Sequence, residues 1–267
     1  MDVTKGIWVD TDPTLGSPWS DVDDVLAVEL VHRRGRLAGL SSVFGNRGLD
    51  TTHRVASDLG RRFGVPVARG AAAPSAVRSE AVDALVAHRG PVLALGPCTN
   101  IAAALAEGAC WSRLVVLGGA ARRLPNLRPL HTTELNFALD EGAASAVLSA
   151  GRDGRVDLEL VPMEPCRRVW AGAPQLARLP EWLAAGCRPW LRTSRLRHPW
   201  GPGGFHPWDV LAAAAAVGVE PCPFSWGRCG VWLDGRPGRQ GHVRYGAGSV
   251  RVLLDVDPAG LLEAWLR

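Results

Sequence analysis

IWVDTDPTLGSPWSDVDDVLAV, residues 7–28, is the stretch whose reading decides the fold. An apolar run from Ile7 ends in Asp10 and Asp12, and Asp21, Asp23 and Asp24 open a segment in which Val25, Leu26 and Val28 have helical spacing. A strand, a loop and a helix therefore bring five carboxylates to one strand tip. Part of this has a local explanation, since Ser20 and Asp23 have capping-box spacing and acidic groups suit a helix N-terminus. That accounts for Asp23 but leaves Asp10 and Asp12 unexplained. Like charges crowded at a strand end repel unless a cation lies among them, so a hard, oxygen-binding ion, Ca²⁺ or Mg²⁺, is the expectation.

Outward from this stretch the same rhythm repeats. Strand-like runs at residues 37–44, 65–68, 91–95 and 113–117 precede helical stretches at 51–63, 79–88, 99–107 and 140–148. A further strand at 157–161 leads into a Trp- and Arg-rich helical region. Continuous hydrophobicity in such short runs predicts a parallel sheet buried on both faces, with ligands at the carboxyl ends of its strands. The pattern changes after Trp208: an alanine-rich helix at 209–217 is followed by strands expected to be antiparallel at 224–233, 241–245 and 249–254, then a helix at 261–266. The fold class is thus α/β, an open, Rossmann-like, mostly parallel sheet flanked by helices, read as one domain over residues 1–267. The Gly- and Pro-rich residues 199–207 read as a mobile loop beside a site or as a connector.

Composition narrows the function classes. The 267 residues are 47% hydrophobic and 21% charged, which suits a buried core and excludes disorder. No apolar run is long enough to span a membrane, and Asp2 follows Met1 where a signal peptide would be basic, so an unsecreted chain without a membrane partner is expected. The net charge of +4 comes almost wholly from scattered arginine, Lys5 being the only lysine, and does not form a phosphate-tracking patch, so no nucleic-acid partner is expected. Six cysteines without a CxxC pair fit reduced thiols in the cytoplasm.

Two families place aspartates in this way. Asp10-Thr-Asp12-Pro-Thr14 resembles the DxDxT motif of haloacid-dehalogenase-like, Mg²⁺-dependent phosphatases, in which the first aspartate is the nucleophile. That fold also needs a later lysine or equivalent cation, and the only lysine here precedes the motif. The longer match is to the inosine–uridine-preferring nucleoside hydrolases. Asp10-Thr-Asp12-Pro13 with Val22-Asp23-Asp24-Val25-Leu26-Ala27 resembles their N-terminal signature, and Ser42-Val-Phe-Gly45-Asn46 and Val65-Pro-Val-Ala-Arg-Gly70 resemble their second and third strand ends. Leu95-Gly-Pro-Cys-Thr99-Asn100-Ile-Ala102 is similar to their LGPLTNIA turn, Val115-Val-Leu-Gly-Gly119 to the next strand, and Glu134-Leu-Asn136-Phe137 with Asp140 to the EFN block. Val161-Pro-Met-Glu164 matches more loosely, and Asp209 heads the alanine-rich helix as their last calcium aspartate does.

The resemblance implies Ca²⁺ held by Asp12, Asp24, the Leu95 carbonyl and Asp209, with Asp10 buttressing the cluster. It implies Asp12 as general base, taking a proton from a metal-bound water that attacks the anomeric carbon, and Asp23, Asn46, Glu134 and Asn136 as ribose contacts. C–N cleavage through an oxocarbenium-like state needs such fixed charge and sugar orientation. Ribose and free base would be the products, which places the activity in purine or pyrimidine salvage. A homo-oligomer, dimer or tetramer, is the family expectation. Thr99 and Asn100 read as a helix cap, so only the Leu95 carbonyl is drawn from that turn into the site.

The chain also departs from the pattern. Trp208 stands where many members carry a histidine before the last aspartate, and His206 lies three residues before Asp209. Both are candidates for activating the leaving base, His206 by protonation and Trp208 by stacking. Residues 70–91 are shorter than in the family and 14–20 enlarge the first loop, so the base pocket is open or is completed by Trp19, the Trp200 loop or another subunit. Asn126 lies two residues further from Glu134 than the family's ribose-binding asparagine. Besides the phosphatase, a catalytically impaired nucleoside- or sugar-binding relative is an alternative.

Overall fold

A computed structural model describes residues 6–122, 133–197 and 203–267; Lys5, Asn126 and Trp200, with the start of the Gly- and Pro-rich loop, lie outside the described residues. In chain order the elements are β1 (Ile7–Thr11), α1 (Asp23–Arg33), β2 (Leu37–Ser42), α2 (Leu49–Phe63), β3 (Val67–Ala68), α3 (Glu80–Ala87), β4 (Pro91–Ala94), α4 (Thr99–Ala106), β5 (Arg113–Leu117), α5 (Leu135–Leu139), α6 (Glu141–Arg152) and β6 (Leu158–Val161). The second half continues with α7 (Met163–Cys166), α8 (Ala173–Leu176), α9 (Glu181–Arg192), α10 (Ser194–Arg197), α11 (Trp208–Val217), β7 (Phe224–Leu233), β8 (Val243–Val256) and α12 (Pro258–Leu266).

The strands form one sheet in the order β3-β2-β1-β4-β5-β6-β8-β7. Strands β1, β4 and β6 are buried along their whole length, which is why their sequences are continuous rather than alternating. From β1 the chain builds outward to β2 and β3, then returns to β4 on the other side. The gap between the loops after β1 and β4 is the switch point at which such sheets bind ligands.

Helices cover both faces. On one, Val25, Leu26 and Leu30 of α1 share a core with Val210 and Leu211 of α11. Nine consecutive residues of α11, Trp208 to Ala216, are buried, and its alanines let α1 approach closely. On the other face, Val82 and Leu85 of α3, Ile101 of α4 and Val147 of α6 pack on Val92 and Val116. Among the described residues no helix is long and apolar enough to cross a membrane.

The end of the sheet differs from the expectation. Residues 241–245 and 249–254 are not two strands: 243–245 and 249–254 both belong to β8, which pairs parallel with β6 and antiparallel only with β7. Gly246–Gly248 bulges without ending the ladder: register jumps from Cys229↔Val250 to Gly230↔Gly246. A side chain at Gly248 would meet the Gly230 nitrogen at 2.4 Å, so the close approach requires glycine. Helix α1 also lacks the expected capping box; its N-cap is Val22 without a side-chain bond, and the Ser20 hydroxyl instead accepts from Arg47 Nε at 2.5 Å.

Candidate active site

The cleft opens at the carboxyl ends of β1, β4 and β5, where the first turns of α1, α5 and α11 meet. Thr11 Oγ1 and the Asp12 N–H both donate to Asp24 Oδ1, at 2.5 and 3.2 Å. The Asn46 N–H donates to Asp12 Oδ2 at 2.5 Å, while its side-chain amide donates to Asp24 Oδ2 at 3.0 Å. Two glycines leave room for Asp12: a Cβ on Gly45 would lie 2.0 Å from Oδ2, and one on Gly96 would lie 2.8 Å from Oδ1.

Asp23, Asp24 and Asp209 each place a carboxylate oxygen within 4.8 Å of the others. All three are buried, and the Asp209 N–H donates to Asp23 Oδ2 at 3.1 Å. Together with Asp12, Asp21 and Leu95 they line one cleft. Burial, and then the charge of Asp24, holds Asp12 well above the usual carboxylate range. Burial, and then Asp21, does the same for Asp23; burial, and then Asp23 and Asp24, for Asp209. Asp24 is pushed up to about 6 by burial, against the lowering bond from Thr11. A set of buried oxygen donors that resist ionising together fits a hard divalent cation, which neutralises them and favours this coordination. Among the described residues no histidine or cysteine lines the cleft to suit a softer metal.

The opposite wall carries Glu134 and Asn136. Glu134 caps α5, its carboxylate accepting from the N–H groups of Asn136 and Phe137 at 2.9 Å each, and burial raises it to about 7. Asn136 Nδ2 donates to the carbonyls of Leu95 at 2.7 Å and Leu117 at 3.3 Å. An apolar patch of Leu117, Leu135, Met163 and Trp208 completes the cleft.

Of the residues nominated from sequence, Asp12, Asp23, Asp24, Asn46, Leu95, Glu134, Asn136, Trp208 and Asp209 thus line one cleft. Asp10 and His206 stand behind it. Asp10 is fully buried, and its Oδ1 accepts from Ser41 Oγ at 2.5 Å and Asn100 Nδ2 at 2.8 Å; burial raises it to about 7. His206 Nδ1 lies 2.7 Å from the Val169 carbonyl, and its ring packs between Trp170 and Trp208, with centroids at 4.6 and 4.9 Å.

Asn100 is a correction. Cys98 is the N-cap of α4 and makes no side-chain cap bond; Asn100 instead holds Asp10, donates to the Ser42 carbonyl and accepts from Ala71 N–H, while Thr99 Oγ1 donates to Asp140. Its amide fits because Gly70 has no Cβ, which would come within 2.3 Å of Nδ2. The sequence reading assigns Thr11 no role, and gives Asp21 only a place among the five carboxylates at the strand tip. Asp21's proximity to Asp23 was the available signal; nothing in the sequence marked Thr11.

The family model for inosine-uridine preferring nucleoside hydrolase matches residues 7–263. A probable uridine nucleosidase 2 of Oryza sativa subsp. japonica is 30% identical over 189 residues, covering 54% of this chain and 53% of that protein. The chain therefore spans about half the length of that curated relative. A plant nucleoside hydrolase superposes with a TM-score of 0.78 at 18% identity, covering 98% of this chain and 97% of that one. A purine-preferring ribonucleoside hydrolase from Gardnerella vaginalis gives 0.77 at 21% identity with the same coverage. At these identities the structural likeness is one of fold.

Proposed function

Since the chain belongs to the inosine-uridine preferring nucleoside hydrolase family, we propose that it hydrolyses the N-glycosidic bond of a ribonucleoside to ribose and free base. The observation that carries this reading is the joining, in one cleft, of the buried Asp23, Asp24 and Asp209 group with Asp12, a hydrogen-bonding wall of Asn46, Glu134 and Asn136, and an apolar patch beside Trp208. Asp12, Asp24, Asp209 and the Leu95 carbonyl would hold Ca²⁺, which supplies, when bound, positive charge and a more acidic water.

Asp12 accepts the proton of the attacking water, and Asn46, Gly45 and Gly96 fix where its carboxylate points. Asp23, Asn46, Glu134 and Asn136 orient the ribose hydroxyls, and the surrounding carboxylates stabilise positive charge developing on the sugar. Asp23 has a double position, facing the sugar while accepting from the Asp209 backbone. The base rests on the apolar patch, where Trp208 stacks on it and eases its departure; His206 acts from behind as a support for Trp208. Asp10 buttresses β1 from beneath. We further propose one hydrolase domain over residues 1–267, acting in the cytoplasm as a homo-oligomer.

The phosphatase alternative requires Asp10 as nucleophile, yet it is fully buried and engaged by Ser41 and Asn100. Among the described residues no lysine or arginine lines the cleft to hold a phosphoaspartate. Release of reducing sugar from a panel of purine and pyrimidine ribonucleosides, in calcium and in chelator, tests the reading beside phosphate release from sugar phosphates. Calcium-dependent sugar release is expected. Phosphate release would replace the hydrolase with the phosphatase, and metal-dependent nucleoside binding without turnover would make the chain a binding relative.

A further inference from the structure

Away from the cleft, a groove runs between α2, α9 and the loop that joins β1 to α1. Arg54, Asp58, Arg61 and Arg62 line it from α2, where their spacing sets them on one helix face. Trp182 and Gly186 of α9 stand opposite, with Leu15 and Gly16 of the loop. The walls are tied together: Gly16 N–H donates to the Gly186 carbonyl at 3.1 Å, and Gly186 lacks the side chain that would collide with Leu15. A row of surface arginines balanced by neighbouring carboxylates would need no ligand. Here Asp58 alone faces both Arg54, at 3.8 Å, and Arg61. Glu181, next to Trp182 in the chain, is bound to Arg188 at 2.8 Å. Arg62 makes no ion pair among the described residues; its guanidinium lies over the Trp182 ring, 4.2 Å from the centroid. Three guanidiniums thus share one carboxylate, and the groove carries two positive charges in excess.

Guanidinium forks match phosphate oxygens, and a phosphate monoester carries about −1.5 to −2 charges at neutral pH. Leu15, Val55, Leu59 and Trp182 add apolar surface to the same groove, which favours a ligand whose phosphate is attached to a planar or apolar group. We propose that this groove is a second binding site, separate from the acidic cleft, for a small phosphate monoester with such a body. The cleft offers that ligand the opposite surroundings: carboxylates and, among the described residues that line it, no arginine or lysine. The two sites share one loop, since Leu15 and Gly16 belong to the segment between the cleft residues Asp12 and Asp23. Binding in the groove does not depend on the hydrolase reading.

The test is equilibrium dialysis of the full chain, supplied with one equivalent of calcium, against adenosine 5′-monophosphate, ribose 5-phosphate and inorganic phosphate. Wild type should bind adenosine 5′-monophosphate about tenfold more tightly than inorganic phosphate, with ribose 5-phosphate closer to the latter. The Arg61→Gln/Arg62→Gln double variant should lose about tenfold in affinity for adenosine 5′-monophosphate. Arg188→Gln, which removes an exposed arginine of α9 outside the groove, and Asp209→Asn, a change within the cleft, should bind it as wild type does. Should the double variant not fold, Arg62→Gln alone, at an exposed position, carries the same comparison with a loss of about threefold. Absence of binding to wild type overturns the proposal, and so does an unchanged affinity in the groove variants. Equal binding of inorganic phosphate and adenosine 5′-monophosphate also overturns it, since the groove would then be a surface anion contact only. A changed affinity in Asp209→Asn places the ligand in the cleft and overturns it as well. None of these measurements needs turnover, so a wild type that releases no sugar would end the hydrolase reading and leave the groove to be decided by its own result.

Discussion

The main-chain N–H of Asp209 donates to the carboxylate of Asp23 at 3.1 Å, joining the first turn of α11 to the first turn of α1 across 186 positions of sequence. Because the donor is backbone, the link survives a change of the Asp209 side chain. Asp209→Asn should therefore fold, and its metal-free form should melt several degrees above the metal-free wild type, since one of the mutually repelling buried carboxylates is gone. The same substitution should remove most of the melting-temperature gain expected from calcium. A full calcium response in Asp209→Asn would take Asp209 out of the donor set.

The metal-free protein should lose stability as pH rises. Asp10 and Glu134 are raised to about 7 and Asp24 to about 6, each by burial first, whereas the unfolded chain holds them near the ordinary carboxylate value. The native state then binds more protons than the unfolded state between those limits, so the stabilisation present at low pH is lost as pH rises through 6 to 7. A cation that displaces these protons should stabilise more at pH 8 than at pH 5. Thermal melts at both values, in chelator and in calcium, measure this; a calcium gain that does not grow with pH contradicts it.

Asp12→Asn should fold, because the amide oxygen can still accept from Asn46 N–H. Loss of the proton acceptor should lower kcat by about 10²- to 10⁴-fold, the usual contribution of a general base. Full turnover in this variant would move the base role elsewhere.

Trp208→Ala should reduce turnover more than His206→Gln, since Trp208 lines the cleft and His206 lies behind it. Side-by-side kcat values decide the point, and the reverse order would make His206 the leaving-group acid.

Asn100→Ala should destabilise the fold by about 3 kcal/mol, because Asp10, the Ser42 carbonyl and the Ala71 N–H each lose a buried partner. Urea unfolding in calcium measures it. A cost within error of zero would show that the amide does not support β1.

The strands β1 to β6 were legible because each is short, mostly apolar and set off by turns, the pattern of a doubly covered parallel sheet. Helix α5 was not, since five residues carry too little periodicity, and the Gly246–Gly248 bulge has the composition of a break while keeping the ladder. Within the site, Asp12 and Asp24 stood out as charges that needed a reason to be close together, whereas Asp209 was reached only through the family resemblance. Asn100 was misread because its partner Asp10 is 90 positions away. A side-chain bond made across strands depends on register and leaves no local mark, whereas a cap does. The roles of His206 and Trp208 could not be separated by spacing, because three residues of chain do not say which ring faces the cleft.

The central position of β1 has a consequence for biosynthesis. It is made before the other strands of this sheet, yet it pairs with β2 on one side and β4 on the other, so its second edge stays bare until residues 91–94 have emerged. The nascent chain thus presents an apolar strand with an open edge, a natural client for a holding chaperone. Its acidic tip, meanwhile, lacks Asp209 until most of the polypeptide has been made, so a truncated translation product would carry the repulsion of the cluster without the full set of ligands that relieves it.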